Sequence, residues 1–350
     1  MTGRGAALVI AGRDDYFDYL RALAIVLVFG THYSFRFVPG GSIGVSVFFC
    51  LSGYFICSLL YRLPELSLDN VAKFVFRRVM RIYPLYAVQI AVFAGLLWTF
   101  HPAEFDRYLS AVPGLLTFSV RPASLGYSTA ITWTLHTEFW FYVTFPLIFW
   151  WAKPRGLVLP FAVLGIVASW LAKAFIGHGN PDDFLGSFSF RWLLVYGDQL
   201  LYGVVCAAIV REMPELTLSF RSRSLAFLSI ALIVLSGLLV PLSGEDWPWH
   251  PLSSAVAFLT GLLILFHHAR PSTPHVAWLS AIGRWSYSIY LLHGLPLDFA
   301  PAISAGPFHT LLPYGVVVIL AASVTYAWIE RPGIKWSHRV AAFGAKYDLA

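Results

Sequence analysis

Apolar residues run along this chain in long blocks broken by short polar segments, and the blocks have the length of a membrane. Runs of about 20 predominantly apolar residues cross a bilayer as helices. Such runs occupy 17–37, 43–61, 83–100, 131–151, 157–176, 191–210, 224–241, 251–268, 285–297 and 310–329, the ninth being short. The apolar stretch 108–120 contains Pro113 and Gly114 and is too short to span, so it reads as an interfacial or re-entrant piece. The pattern predicts an all-α, polytopic transmembrane helix bundle of about ten spans. No repeat is visible and no polar segment is long enough for a soluble domain, so 1–350 reads as a single membrane domain. The apolar patch near Arg4 is too short for a cleavable secretory signal, and the first span is expected to serve as its own insertion signal.

The polar segments fix an orientation. The N-terminus, 62–82, 152–156, 211–223, 269–284 and the tail after 330 hold 18 of the 24 basic residues. The opposite loops carry acids: Glu104, Asp106, Asp182, Asp183, Glu245, Asp246 and Asp298. Basic residues stay on the cytoplasmic side, so both termini are expected there. Trp247 and Trp249 suit the outer interface.

Composition supports this class: 58% of residues are hydrophobic and 12% charged, against about 25% charged in soluble domains. The net charge of +6 then reflects orientation and contact with membrane lipid, not nucleic-acid binding. Cys50, Cys57 and Cys206 all fall in apolar runs without a metal-ligand spacing, and read as buried free thiols. No metal site is expected.

Ionisable residues inside apolar runs are costly, and so mark candidate chemistry. Asp18, Arg21 and His32 share the first run. Asp18 and Arg21 are three apart and can pair along a helix. Eleven residues make three turns plus about 20°, which places Arg21 and His32 on one face about 16 Å apart. A histidine suits a general base near neutral pH, although Arg21 could simply snorkel to the interface. Small residues at Gly44, Ser46, Ser52 and Gly53 allow close approach of another helix or of an extended ligand. Arg77, Arg78 and Arg81 precede the third span. Arg78 and Arg81 are three apart and could grip phosphates or anchor to anionic lipid. Glu138 is the lone acid of the fourth span, with Tyr142 one turn on; His136 is nearer the boundary. The ninth run carries Ser286, Tyr287, Ser288, Tyr290 and His293, a polar stripe on a short helix.

In this order, these elements resemble the acyltransferase-3 family of membrane O-acyltransferases, over about 14–333. Arg21 and His32 meet its pattern of a basic residue, ten residues, then His. Arg78 and Arg81 meet its Arg, two residues, Arg. Gly44 to Gly53 meets its glycine- and phenylalanine-rich segment ending in Leu-Ser-Gly. Trp133, Leu135, Glu138, Phe141 and Tyr142 meet its fourth-span motif, with Thr134 in place of Ser. Ser286 to His293 and the closing Glu330, Arg331 and Pro332 complete the match. Phe139 and Trp140 stand where many members have a second Glu and a Gln.

The resemblance implies an integral, multi-pass enzyme of the bacterial inner membrane. It would transfer a short acyl group, acetyl first among them, from acyl-coenzyme A to a hydroxyl of a carbohydrate or glycoconjugate such as a surface polysaccharide. His32 would be the general base and Glu138 would hold its imidazole. Arg21, Arg78 and Arg81 would bind the donor, and Tyr142, Ser286, Tyr287 and His293 the acceptor. Intramembrane Arg, His and Glu also suit a transporter of a sugar conjugate, but no repeated halves or paired broken helices accompany them.

Overall fold

The computed structural model describes residues 14–34, 41–63, 65–119, 125–176, 190–239, 251–271, 274–299, 307–337 and 339. Asp182, Asp183, Glu245, Asp246, Trp247 and Trp249, expected in outer loops, lie outside the described residues, as do Arg4, Arg13 and Lys346. The described residues are helical and contain no strand. The main helices are α1 Asp15–Ser34, α2 Gly41–Tyr61, α3 Leu68–Phe100, α4 Pro102–Leu116, α5 Trp133–Ala152 and α6 Val158–Ile176. They continue with α7 Phe190–Glu212, α8 Arg223–Leu239, α9 Pro251–Ala269, α10 Ala277–Leu292 and α11 Pro307–Thr325. A π-turn, Tyr326–Glu330, extends α11.

Each apolar run of the sequence falls mainly on one of these helices. By length and apolarity alone, five described helices can cross a membrane: Ile43–Tyr61, Leu68–Phe100, Leu193–Glu212, Pro251–Ala269 and Pro313–Ser337. The bent pair Pro214–Phe220 and Arg223–Gly237 makes a sixth if it counts as one span. The ten-span count therefore rests on the hydropathy pattern. Large apolar side chains on α6, α8 and α11 face outward, among them Leu164, Leu171, Phe227, Val316 and Leu320, the surface expected where lipid is the solvent.

Two elements are longer than the apolar runs that announced them. The segment before residue 83 is not a loop: α3 has 33 residues, about 50 Å. Ser67 caps it by accepting from the Asn70 N–H at 3.2 Å, and Lys73 pairs with Asp69 one turn in. With no Gly or Pro between 68 and 83, nothing stops the helix, and Arg77, Arg78 and Arg81 ride on it. Likewise α10 begins at Ala277, ahead of its run. The piece 108–120 belongs mostly to α4, a 15-residue helix shorter than a span.

At the centre, α2 packs on α1, α7 and α9, α7 on α6, and α1 on α10. At Gly53 a Cβ would sit 1.8 Å from the Leu200 carbonyl oxygen, so α2 and α7 touch backbone to backbone. At Gly44 a Cβ would sit 2.3 Å from the Ala24 carbonyl oxygen of α1, so both glycines serve packing. The cysteines are buried free thiols. A buried polar cluster ties three helices together. Lys173 of α6 donates to both Asp198 oxygens of α7 at 2.8 Å and to Ser254 of α9 at 2.9 Å. Ser169, Trp170 and Ser254 also donate to Asp198.

Candidate active site

The first half of α1 is locked onto α10. Gly283 makes this possible: a Cβ there would fall 1.9 Å from the Asp18 carbonyl oxygen. Arg21 Nη1 donates to Asp18 Oδ1 at 3.1 Å, the i,i+3 pair expected from the spacing. Ser280 donates to Asp15 at 2.7 Å and to Asp18 at 3.2 Å, and Arg284 donates to Ser280 at 3.0 Å. At this end, outside the apolar run, the His275 ring and the Ser280 hydroxyl hold the Asp15 carboxyl below its ordinary range.

Above this lock α1, α2, α3, α5 and α10 line a partly open cavity of about 100 Å³. Its polar lining is Arg21, Arg78, Arg81, Glu138, Ser52, Tyr142, Ser286 and Tyr287, and its apolar walls include Val45, Phe48, Phe49, Leu51, Phe55 and Leu135. Arg78 and Arg81 thus do not merely edge a mouth in water; α3 carries them into the same space as Arg21. The Arg21 guanidinium lies over Phe55 at 4.7 Å, and that of Arg78 over Phe74 at 5.6 Å and Tyr142 at 6.0 Å. Aromatic faces hold guanidinium groups where water is scarce. With Asp18 paired to Arg21 and Glu138 in the lining, three guanidinium groups still outnumber two carboxylates, which leaves the cavity positive.

Glu138 is not where the sequence placed it. Its Oε1 accepts from Ser52, and its Oε2 accepts from Tyr142 one turn along α5 at 3.1 Å. It belongs to the arginine cavity and does not hold His32. The physical reason lies in α5, which turns Glu138 and Tyr142 toward the same space at a spacing of four residues.

His32 meets another histidine instead. Its Nδ1 lies 2.7 Å from Nε2 of His293, the buried residue that follows α10. His293 Nδ1 lies 2.6 Å from the Tyr290 carbonyl oxygen, and Tyr33 donates to the His293 carbonyl at 2.5 Å. Tyr290 lines the cavity, so the histidine pair lies one turn of α10 beyond it.

The stripe on α10 therefore divides. Ser286 and Tyr287 line the cavity, and Tyr287 also donates to the Ile82 carbonyl at 2.7 Å. Ser288 turns away and donates to Glu330 at 3.0 Å, which accounts for the acid of the closing Glu-Arg-Pro. Tyr290 donates to the Ile131 carbonyl at 2.7 Å and accepts from Thr134 at 3.0 Å. His293, read from sequence as an acceptor-binding residue, faces His32. His136 is buried, with the Phe118 ring edge-on to it at 5.0 Å.

Sequence reasoning missed the roles of Ser52 and Tyr290, and missed Asp198 and Lys173 altogether. The latter two had a signal: each is a charged residue in an apolar run, the criterion that found Glu138.

Comparison with known proteins identifies the family. The acyltransferase-3 family model, described as an acyltransferase domain, matches residues 14–329. A putative membrane-bound transacylase BcsY from Komagataeibacter xylinus is 28% identical over 92% of this chain and 83% of its own length. The O-acetyltransferase OatA of Staphylococcus aureus is 25% identical over 93% of this chain, which spans only 58% of that protein. A peptidoglycan O-acetyltransferase OatA from Listeria monocytogenes is 30% identical over 47% of this chain and 30% of its own length. No solved structure matches.

Proposed function

The chain belongs to the acyltransferase-3 family and is a multi-pass membrane acyltransferase; from that premise we propose that it moves a short acyl group, acetyl first among them, from acyl-coenzyme A to a hydroxyl of a carbohydrate or glycoconjugate such as a surface polysaccharide. The observation that carries the reading is the cavity. Guanidinium groups of Arg21, Arg78 and Arg81 share it with apolar walls, and one turn of α10 beyond Tyr290 lies an imidazole pair. Guanidinium groups fit phosphate oxygens and the thioester carbonyl, while apolar walls fit the acyl end. Peptidoglycan appears in the name of one relative, which supports a polymeric carbohydrate acceptor.

With ten spans and both termini in the cytoplasm of a bacterial inner membrane, the arginine end takes the donor from the cytoplasmic side. His32, further along α1, then lies toward the outer side, where a surface glycan is modified. In the transfer, His32 Nε2 takes the proton of the acceptor hydroxyl as that oxygen bonds to the thioester carbonyl carbon. The carbon–sulfur bond breaks, and the coenzyme A thiolate leaves with the proton returned by the imidazolium. Such a base is worth about 10²–10⁴ in rate. Glu138 fixes Ser52 and Tyr142 and offsets part of the arginine charge.

The test is direct. Purified protein with labelled acetyl-coenzyme A and an oligosaccharide acceptor should release free thiol and label the acceptor, and a His32→Ala protein of normal fold should do neither. Absence of thioester consumption with every acyl donor offered would overturn the reading.

A further inference from the structure

The histidine pair is more specific than two neighbouring rings. The planes of His32 and His293 are within 9° of parallel, with centroids 4.9 Å apart. Stacked faces approach no closer than about 3.5 Å, yet the two nitrogens are 2.7 Å apart. The rings therefore meet edge to edge, with an N–H and a lone pair in line.

Hydrogen-bond chemistry then assigns the protons. A backbone carbonyl only accepts. His293 Nδ1, 2.6 Å from the Tyr290 carbonyl oxygen, must be the N–H donor. In the neutral ring that leaves Nε2 of His293 as an acceptor, and the nitrogen facing it, Nδ1 of His32, must carry a proton. Nε2 of His32 is then the nitrogen with the lone pair, the form a base needs.

We propose that His293 is a positioning residue that sets the tautomer and direction of His32. Two structural features serve this role. His293 is fully buried, so no water competes for its Nε2. Tyr33, next to His32, donates to the His293 backbone carbonyl at 2.5 Å, so two adjacent residues of α1 are fastened to one residue beyond α10. The Tyr290 carbonyl, one turn earlier, is part of the device, because it decides which way the His293 ring carries its proton.

The inference rests on the acyl-transfer reading for its kinetic arm only. His293→Ala should lower the maximal rate by about 10²–10⁴-fold, the range of a general base. Its KM for acetyl-coenzyme A should stay within about twofold of wild type, because the donor arginines are untouched. His293→Gln keeps an acceptor oxygen near the position of Nε2 and should recover most of the lost rate. A second arm needs no turnover: nitrogen NMR of ¹⁵N-histidine-labelled protein in detergent. Wild type and His293→Gln should show His32 protonated on Nδ1, whereas His293→Ala should move that proton toward Nε2. A His293→Ala protein with wild-type rate, a folded His293→Gln as slow as His293→Ala, or a His32 tautomer unchanged in His293→Ala would each overturn the proposal. If wild type transfers no acyl group from any donor, the functional reading fails, and the NMR arm still judges the tautomer.

Discussion

Glu138 and the arginines make separable predictions. Glu138→Gln keeps the side-chain volume and an acceptor for one of Ser52 and Tyr142, turns an amide N–H toward the other, and removes the charge that shares the cavity with Arg21, Arg78 and Arg81. Hydrogen bonds to a charged group are worth about 1.5–3 kcal/mol, so the transfer rate should fall about ten- to a hundredfold with the protein still folded. Initial-rate measurements in detergent check this. Arg78→Ala or Arg81→Ala should weaken coenzyme A by about 1.5–3 kcal/mol in a calorimetric titration, with less effect on the maximal rate. Because both are half-buried in the cavity, the affinity should depend on salt less than a surface ion pair does. Arg21 and Glu138 were legible as candidates, since a charge in an apolar run is costly enough to need a use, and Arg78 and Arg81 by their three-residue spacing ahead of a run. The Asp18–Arg21 pair was legible too, because its three-residue spacing is local. The partners of Glu138 and His32 were not.

Helix pairing depends on buried polar contacts that hydropathy does not report. The Asp198–Lys173 pair joins α6 to α7, and Ser254 adds α9. Removing one member leaves the other charge buried and unpaired, which costs about 3–5 kcal/mol. Asp198→Ala and Lys173→Ala should each lower the thermal midpoint in detergent markedly, and the apolar double change Lys173→Met/Asp198→Leu should lower it less than either. The contact of α2 with α7 makes a parallel case. A methyl at Gly53 would overlap the Leu200 carbonyl, so Gly53→Ala should destabilise by about 1–3 kcal/mol through forced separation of the helices, read from the same melts. Helix α3 shows the converse: sequence rules of capping and missing breakers foretell its early start, whereas hydropathy, which sees only the apolar part, does not.

Among the described residues, five helices of the bundle share the arginine-lined cavity, and its aliphatic and aromatic walls bear on the choice of donor. Acetyl-coenzyme A should be turned over faster than long-chain acyl-coenzyme A by about tenfold, because the acyl end seats among Val45, Phe48, Phe49 and Phe55 and a longer chain must displace them. A series of donors of increasing chain length, compared by kcat/KM, checks this; equal rates for long chains would mean that the acyl group lies outside the cavity.

The apolar blocks specify helices and a membrane because no other backbone arrangement satisfies its hydrogen bonds in lipid, apart from a closed barrel, which these runs are too long and too uniformly apolar to form. The intramembrane Arg, His and Glu announce chemistry because burying them without a use is expensive. What the linear pattern leaves open is which faces meet. Helices α2 and α5 are apolar nearly all the way round, since lipid and protein interior are alike in polarity, so the pattern does not say which side of a helix turns inward. Packing settles that. It brings Ser52 to Glu138 across 86 residues and Lys173 to Asp198 across 25. Across 261 residues it brings His293 to His32, and so sets apart an arginine-lined cavity holding Glu138 from a histidine pair that sequence alone had joined to it.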